Sequence, residues 1–323
     1  MKKVLLTGCA GFIGARTSEL LLEKGHTVIG IDNMNDYYAV ALKDLRISSL
    51  LKFSRFVFHR IDIEDKEALR SVIRETKPET IVNLAARAGV RASLVNPDIY
   101  IGTNVKGMLN VLELAREFGV PKVLLASTSA VYAGQEPPFN ENQIVEKPIS
   151  PYAASKRAAE LLAYTYHHLY HIDVSILRYF TVYGPAGRPD MSPLRFTQAI
   201  YEERPFEVYG DGSQSRDFTF IDDIAEGTIS AMEPLGYEII NLGGGNNPFS
   251  IKEMIQLIEE SCGKKAKCSY GPFHQGDLFC TWADIAKAGR LLHWEPRVNF
   301  KEGIRRMVKW YVENRNWLKD VKF

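Results

Sequence analysis

Cysteine is scarce. Only Cys9, Cys262, Cys268 and Cys280 occur in 323 residues, and no two stand in a Cys-x-x-Cys spacing. This excludes a disulfide scaffold and the usual zinc frameworks, leaving reduced, structural thiols and no metal site as the expectation. Long apolar runs are missing too; none approaches the roughly 18 residues a membrane-spanning helix needs. An excess of either charge is also absent: 40 Lys and Arg face 39 Asp and Glu, for a net +1. No long-range field therefore recruits nucleic acid or an anionic membrane, and an anionic ligand must be held by local groups. The chain opens on an apolar strand, Val4-Leu5-Leu6, without a basic leader, so a soluble, cytoplasmic protein is expected. Internal repeats, low-complexity tracts and a long charged tail are lacking as well.

What the chain does have is a rhythm. Runs rich in Val, Ile and Leu recur at Val4–Thr7, Thr27–Ile31, Arg55–His59, Thr80–Leu84, Lys122–Ser127 and Val174–Arg178, with helical patterns between most of them. Continuous apolar runs suit strands buried on both faces, and their alternation with helices predicts a Rossmann-type, doubly wound parallel α/β sheet. Beyond Tyr179 the rhythm loosens into turns rich in Pro and Gly, with helices expected near Ser192–Glu203, Asp222–Met232, Ser250–Ser261 and Lys301–Asn314. Residues 1–178 are thus read as a dinucleotide-binding domain. Residues 179–323 are read as a smaller lid for substrate, with some segments returning to the sheet.

Thr7-Gly8-Cys9-Ala10-Gly11-Phe12-Ile13-Gly14 follows the first strand and opens the first helix. Small residues let the backbone turn tightly against a pyrophosphate, and free amides at the helix N-terminus face its charge. Eighteen residues after Gly14, Asp32 ends the second strand before Asn33. A carboxylate there accepts the hydroxyls of an adenosine ribose and repels a 2′-phosphate, which predicts NAD over NADP. Asp62 and Ile63 after the third strand are candidates for the adenine. Leu84-Ala85-Ala86 after the fourth leaves room for the cofactor, and Lys43 is a weaker candidate.

Ser150-Pro151-Tyr152-Ala153-Ala154-Ser155-Lys156 heads a long helical segment. Tyr152 and Lys156, four residues apart, project from one helix face. A phenol has an ordinary pKa of about 10, so it acts as a base near neutrality only if positive charge stabilises the phenolate. Lys156 and an oxidised nicotinamide are the expected sources. The fifth strand ends in Ser127-Thr128-Ser129-Ala130-Val131-Tyr132, at the sheet edge where α/β proteins bind ligands. A hydroxyl there can share a hydrogen bond between a substrate oxygen and the phenolate.

Together these motifs resemble the extended short-chain dehydrogenase/reductases over essentially the whole chain. Asp32 to Tyr38, Ala88 to Pro97, Arg178 to Pro185, Gly187 to Met191 and Trp282-Ala283-Asp284 are similar to stretches of the UDP-glucuronate 4-epimerases, close relatives of the UDP-glucose 4-epimerases. The resemblance implies a redox round trip at sugar carbon 4. Tyr152 takes the hydroxyl proton while hydride leaves for NAD, the 4-keto sugar swings over, and hydride returns to the other face. It also implies that Ser127 and Tyr179 lie beside the cofactor. Thr128, Ser129, Thr181 and Arg188 would surround a sugar carboxylate, and Arg195, Arg216 and Asp277 would line the nucleotide.

Related 4,6-dehydratases carry an Asp-Glu pair where this chain has Ser129-Ala130, and related decarboxylases tend to carry Glu at Ala130; an alanine moves no proton. Three departures stand out. His274-Gln275 precedes Gly276-Asp277 where many UDP-glucose epimerases have an arginine, Ala133 replaces a usual Gly, and Ala130 replaces the Ser of many uronate epimerases. A UDP-glucose or UDP-N-acetylhexosamine 4-epimerase is the nearest alternative, then a UDP-glucuronate decarboxylase or an NAD-binding protein without turnover. Helices near Ile101–Phe118 and Tyr152–Tyr170 match a pair that forms a four-helix dimer interface in this family, so a homodimer is expected.

Overall fold

The computed structural model describes residues 1–245, 248–273, 276–319 and 321. Six strands, β1 (Lys3–Thr7), β2 (Thr27–Asp32), β3 (Phe56–Arg60), β4 (Thr80–Asn83), β5 (Lys122–Thr128) and β6 (Asp173–Tyr179), join a seventh segment, Tyr237–Leu242, in one sheet. Its order is Tyr237–Leu242, β6, β5, β4, β1, β2, β3, and every pairing is parallel. Both faces are covered: Val4, Leu6, Val28, Val82 and Leu124 pack into one apolar cluster, while Leu5, Ile29, Ile81, Val123 and Leu125 pack into another. Burial on both sides explains why these strands read as continuous apolar runs.

Strand order reverses at β1, which pairs with β2 on one side and β4 on the other. Outside the carboxyl ends of such a pair lies the crevice where open α/β sheets take ligands. Thr7 Oγ1 ties it together, donating to Asn83 Oδ1 at 2.6 Å and accepting from the Ala85 amide at 3.1 Å. Helices α1 (Phe12–Glu23), α2 (Val40–Leu50) and α3 (Lys66–Thr76) connect the first strands.

The long helix expected from Ile101 to Phe118 is interrupted. Ile101–Lys106 is a π-helical segment, and the α-helix runs only over Gly107–Phe118. The wider turn accompanies two polar anchors: Thr103 donates to Glu64 at 2.7 Å, and Asn104 bonds both Arg87 and Ser155 at 2.9 Å. Such bulges recur at functional sites because they re-aim side chains out of a helix.

After Tyr179 the chain forms two-stranded pairings, Thr181–Tyr183 with Phe218–Phe220, Ser215–Arg216 with Phe249–Ser250, and Phe206–Tyr209 with Cys268–Gly271. With helices Ser192–Tyr201, Ile251–Cys262 and Phe300–Leu318, they enclose a third core of Tyr183, Phe196, Phe218, Phe220, Ile255 and Phe300. Tyr237–Leu242 leaves this part of the chain to extend the large sheet beside β6. Among the described residues, no helix is long and apolar enough to cross a membrane.

Candidate active site

At the cofactor end Gly8 and Gly14 leave no room for a Cβ. Gly8 holds φ +75°, and a Cβ on it would meet the Ala85 nitrogen at 2.7 Å, while one on Gly14 would meet the Gly8 carbonyl oxygen at 2.0 Å. The backbone is thus bare at these glycines up to the α1 N-terminus, which suits a pyrophosphate. Asp32 is buried at the end of β2, accepting from the amides of Ala10 at 3.2 Å and Met34 at 2.8 Å. Lys43 stands 3.8 Å from it. Asn33 donates to Asp62 at 2.7 Å, and Ile63, Leu84, Ala85 and Ala86 complete the small pocket around Asp32. These residues fit an adenosine.

A larger cavity of about 640 Å³ continues over the sheet edge. Along it lie Phe12, Ile13, Ser127, Thr128, Ser129, Tyr152, Lys156, Tyr179, Thr181, Arg188, Arg195, Arg216 and Asp277. The structure therefore brings every site residue expected from the sequence to one of two adjoining pockets, while His274 and Gln275 lie outside the described residues.

Tyr152 sits in the first turn of helix Pro151–Tyr170, which begins cleanly because Ser150 Oγ accepts from the Ala153 amide at 3.2 Å and Pro151 occupies the first helical position. Its ring meets Tyr100 edge-on at 6.1 Å. Burial raises its phenol above the ordinary value, opposed by the hydrogen bond with Thr128 and the positive charge of Arg188. Lys156, 4 % exposed, donates to the Ala126 carbonyl at 2.9 Å. Burial pushes it down to about 8, with the charge of Glu160 holding it up. Arg188 thus adds positive charge at the phenol, and Lys156 is anchored to the edge of β5.

Beneath this pair is a polar network that the sequence reading did not include. Glu160 is fully buried and accepts from Ser127 Oγ at 2.5 Å, from Arg178 Nε at 2.9 Å and Nη2 at 2.8 Å, and from Arg157 at 3.0 Å. Arg178 also reaches the Tyr132 hydroxyl at 2.9 Å, which in turn bonds Asn241 at 2.8 Å. Burial raises the Glu160 carboxyl, but Arg178 outweighs it and the net shift is downward. Glu160 stands four residues after Lys156, the one local signal that it shares the same helix face.

Arg188 is paired with Asp190, Nε to Oδ1 at 3.0 Å, and lies over the Tyr37 ring at 5.7 Å. Burial works against its charge, yet Asp190 raises the net value. Also along the cavity, Arg195 donates to the Glu207 carbonyl at 2.9 Å and Arg216 to that of Ser215 at 2.8 Å. Arg91, in the quoted Ala88–Pro97 stretch but given no role there, joins them, stacked on Tyr209 at 4.0 Å and bonded to Asp277 at 2.5 Å. Asp217, next to Arg216, accepts from the amides of Gly244 at 2.6 Å and Ala283 at 2.8 Å; burial raises it to about 6. Three arginines line the cavity that also holds the phenol and hydroxyls, an arrangement suited to a nucleotide diphosphate carrying a reactive polar group.

A parallel sheet with this turn, this Tyr-x-x-x-Lys pair and these arginines has close counterparts. The chain belongs to the extended short-chain dehydrogenase/reductases, in the family described as GDP-mannose 4,6 dehydratase, whose model matches residues 5–307. It is 56% identical over 318 residues to a UDP-glucuronate 4-epimerase of Thermodesulfobacterium geofontis, with 98% of each chain covered. Among solved structures, the UDP-glucuronic acid 4-epimerase of Bacillus cereus in complex with UDP-glucuronic acid and NAD superposes with a TM-score of 0.91 at 36% identity, over 97% of this chain and 99% of that one. A UDP-glucose 4-epimerase of Thermotoga maritima with UDP-glucose gives 0.89 at 30% identity, over 97% and 99%.

Proposed function

We propose that this protein is an NAD-dependent 4-epimerase that interconverts UDP-glucuronate and UDP-galacturonate. One observation carries the choice of substrate: Thr128, Ser129, Thr181 and Arg188 line the same cavity as Tyr152, while Ala130 beside them offers no acid or base. Hydroxyls and a guanidinium hold a carboxylate through charge-assisted hydrogen bonds.

Gly8, Gly11 and Gly14 would hold the NAD pyrophosphate and Asp32 its adenosine ribose. When bound, NAD takes the hydrogen at sugar carbon 4 with its electron pair and gives it back to the other face. Thr128 orients the 4-hydroxyl and Tyr152 accepts its proton. Lys156, anchored on Ala126, keeps positive charge near the phenolate and releases the phenol to protonate the 4-keto oxygen on the return. Arg91, Arg195 and Arg216 keep the diphosphate in place while the sugar turns over. The 4-keto uronate is a β-keto acid, and donors fixed on its carboxylate oppose loss of carbon dioxide by stabilising the charge that decarboxylation would remove. Without an acid or base at position 130, elimination of water has no catalyst.

Residues 1–178 act mainly on the cofactor and 179–323 mainly on the UDP-sugar, with Tyr237–Leu242 returning to the sheet. A homodimer built on a four-helix interface is part of this reading, supported by the exposed Ile101, Leu161 and Tyr164 on the two helical segments concerned. Four free cysteines suit a reducing cytoplasm.

The test is incubation of the purified protein with UDP-glucuronate, UDP-glucose and UDP-N-acetylglucosamine in parallel, with products read by proton NMR. UDP-galacturonate without UDP-pentose is expected. Conversion of the neutral sugars alone would reject the carboxylate pocket, and a UDP-pentose product would reject the suppression of decarboxylation.

A further inference from the structure

Arg46 plays no part in the reaction described above, yet it is among the most buried charges of the chain at 5 % exposure. It rises from α2 between two loops distant in sequence. Nη1 donates to the Ala10 carbonyl of the cofactor turn at 2.9 Å and to the Tyr38 hydroxyl at 2.7 Å. Nη2 donates to the carbonyls of Ala186 at 2.6 Å and Gly187 at 3.3 Å. The next residue is Arg188. All four acceptors are uncharged, and two of them are backbone groups directly before Arg188.

That loop needs such a hold. Ala186 has φ +54°, a left-handed conformation that a residue with a Cβ adopts at a cost and keeps only where neighbours enforce it. The Arg46 fork fixes the two carbonyls that set the direction in which Arg188 leaves the backbone. From there Arg188 lies against Tyr37, whose hydroxyl donates to the Ala88 carbonyl at 2.7 Å. The neighbouring Tyr38 is held by Arg46 itself. A planar, forked donor spans both loops at once, which the single point of a lysine ammonium does not.

We infer that Arg46 is a positioning residue that ties the cofactor turn to the loop carrying Arg188 and thereby sets selectivity for a sugar carboxylate. The inference rests on the proposed contact between Arg188 and that carboxylate, so the experiment separates the two. NAD-loaded protein in a Tyr152→Phe background, which stops turnover, is titrated calorimetrically with UDP-glucuronate and with UDP-glucose, alone and with Arg46→Met, Arg46→Lys, Arg188→Ala or Arg46→Met plus Arg188→Ala.

Arg46→Met is expected to lower the ratio of UDP-glucuronate to UDP-glucose affinity by about tenfold, with Arg46→Lys between it and the parent, and the double variant no less selective than Arg188→Ala alone. Should Arg46→Met fail to fold, Arg46→Lys, which keeps a donor and the charge, decides by the same ratio. Equal weakening of both sugars, or additive losses of selectivity in the double variant, would overturn the role of Arg46 while leaving Arg188 in place. An Arg188→Ala variant that loses no selectivity would overturn the carboxylate contact, and this inference with it.

Discussion

Replacing Glu160 with Gln tests the network under the catalytic pair in two independent ways. Glu160 has no exposed surface and Arg178 only 1 %, and the carboxylate receives two bonds from Arg178, one from Ser127 and one from Arg157. A glutamine keeps one acceptor oxygen and turns an amino group toward a guanidinium. Stranding one member of a buried pair costs about 3–5 kcal/mol. Arg178 keeps its bond to the Tyr132 hydroxyl, which argues for the lower end, about 3 kcal/mol. In a chain of this size that is a fall in Tm of about 4–5 °C, readable by calorimetry.

The second readout is proton chemistry. Glu160's charge supports a Lys156 that burial has pushed down to about 8. Lys156 serves as an ammonium, so activity is present below its pKa and lost above it. Removing the negative charge lowers that pKa, and the alkaline limb of kcat/KM must move to lower pH. A paired Glu160→Leu, Arg178→Met variant, with no stranded charge, should recover most of the stability but keep the displaced limb. Unchanged Tm together with an unmoved limb in Glu160→Gln would refute the reasoning.

Tyr152→Phe should lower kcat by roughly 10³-fold or more while the protein still copurifies with NAD; an active variant would remove Tyr152 as the base. Arg188→Ala should raise KM for UDP-glucuronate about tenfold or more and leave a neutral UDP-hexose little affected, checked by steady-state kinetics on both. Asp32→Ala should weaken NAD by roughly tenfold to a hundredfold, measured by cofactor retention on gel filtration, and full retention would mean that the ribose is held elsewhere. Because burial holds the folded-state pKa of Lys156 at about 8, below the ordinary 10.5 of a lysine, its charge opposes folding at low pH. Its contribution to stability should therefore climb as pH rises from about 8 towards 10.5, seen as a smaller alkaline loss of Tm in the parent than in Lys156→Met.

The cofactor turn, Asp32 and the Tyr152–Lys156 pair were legible because their geometry is local: a turn needing bare backbone, a strand end, and two side chains one helical turn apart. The six strands β1–β6 were legible because burial on both faces leaves an unbroken apolar run. Tyr237–Leu242 was less so, since it sits at the sheet edge and carries Tyr, Glu and Asn among its apolar residues. Arg46, Arg91 and Glu160 were not assigned roles. The backbone partners of Arg46 lie 36 to 141 residues away and the carboxylate partner of Arg91 lies 186 away, and no spacing rule reaches that far.

The sequence by itself determined which chemistry this protein carries, because phenol, ammonium, carboxylate and bare glycine have fixed properties and stand in short, recognisable spacings. Only the tertiary structure decided what those groups experience. Burial moves Tyr152 up and Lys156 down, Asp190 and Tyr37 frame Arg188, and a buried arginine holds two remote loops together. Desolvation and long-range hydrogen bonds arise when distant segments exclude water from one another, and that depends on how the chain packs.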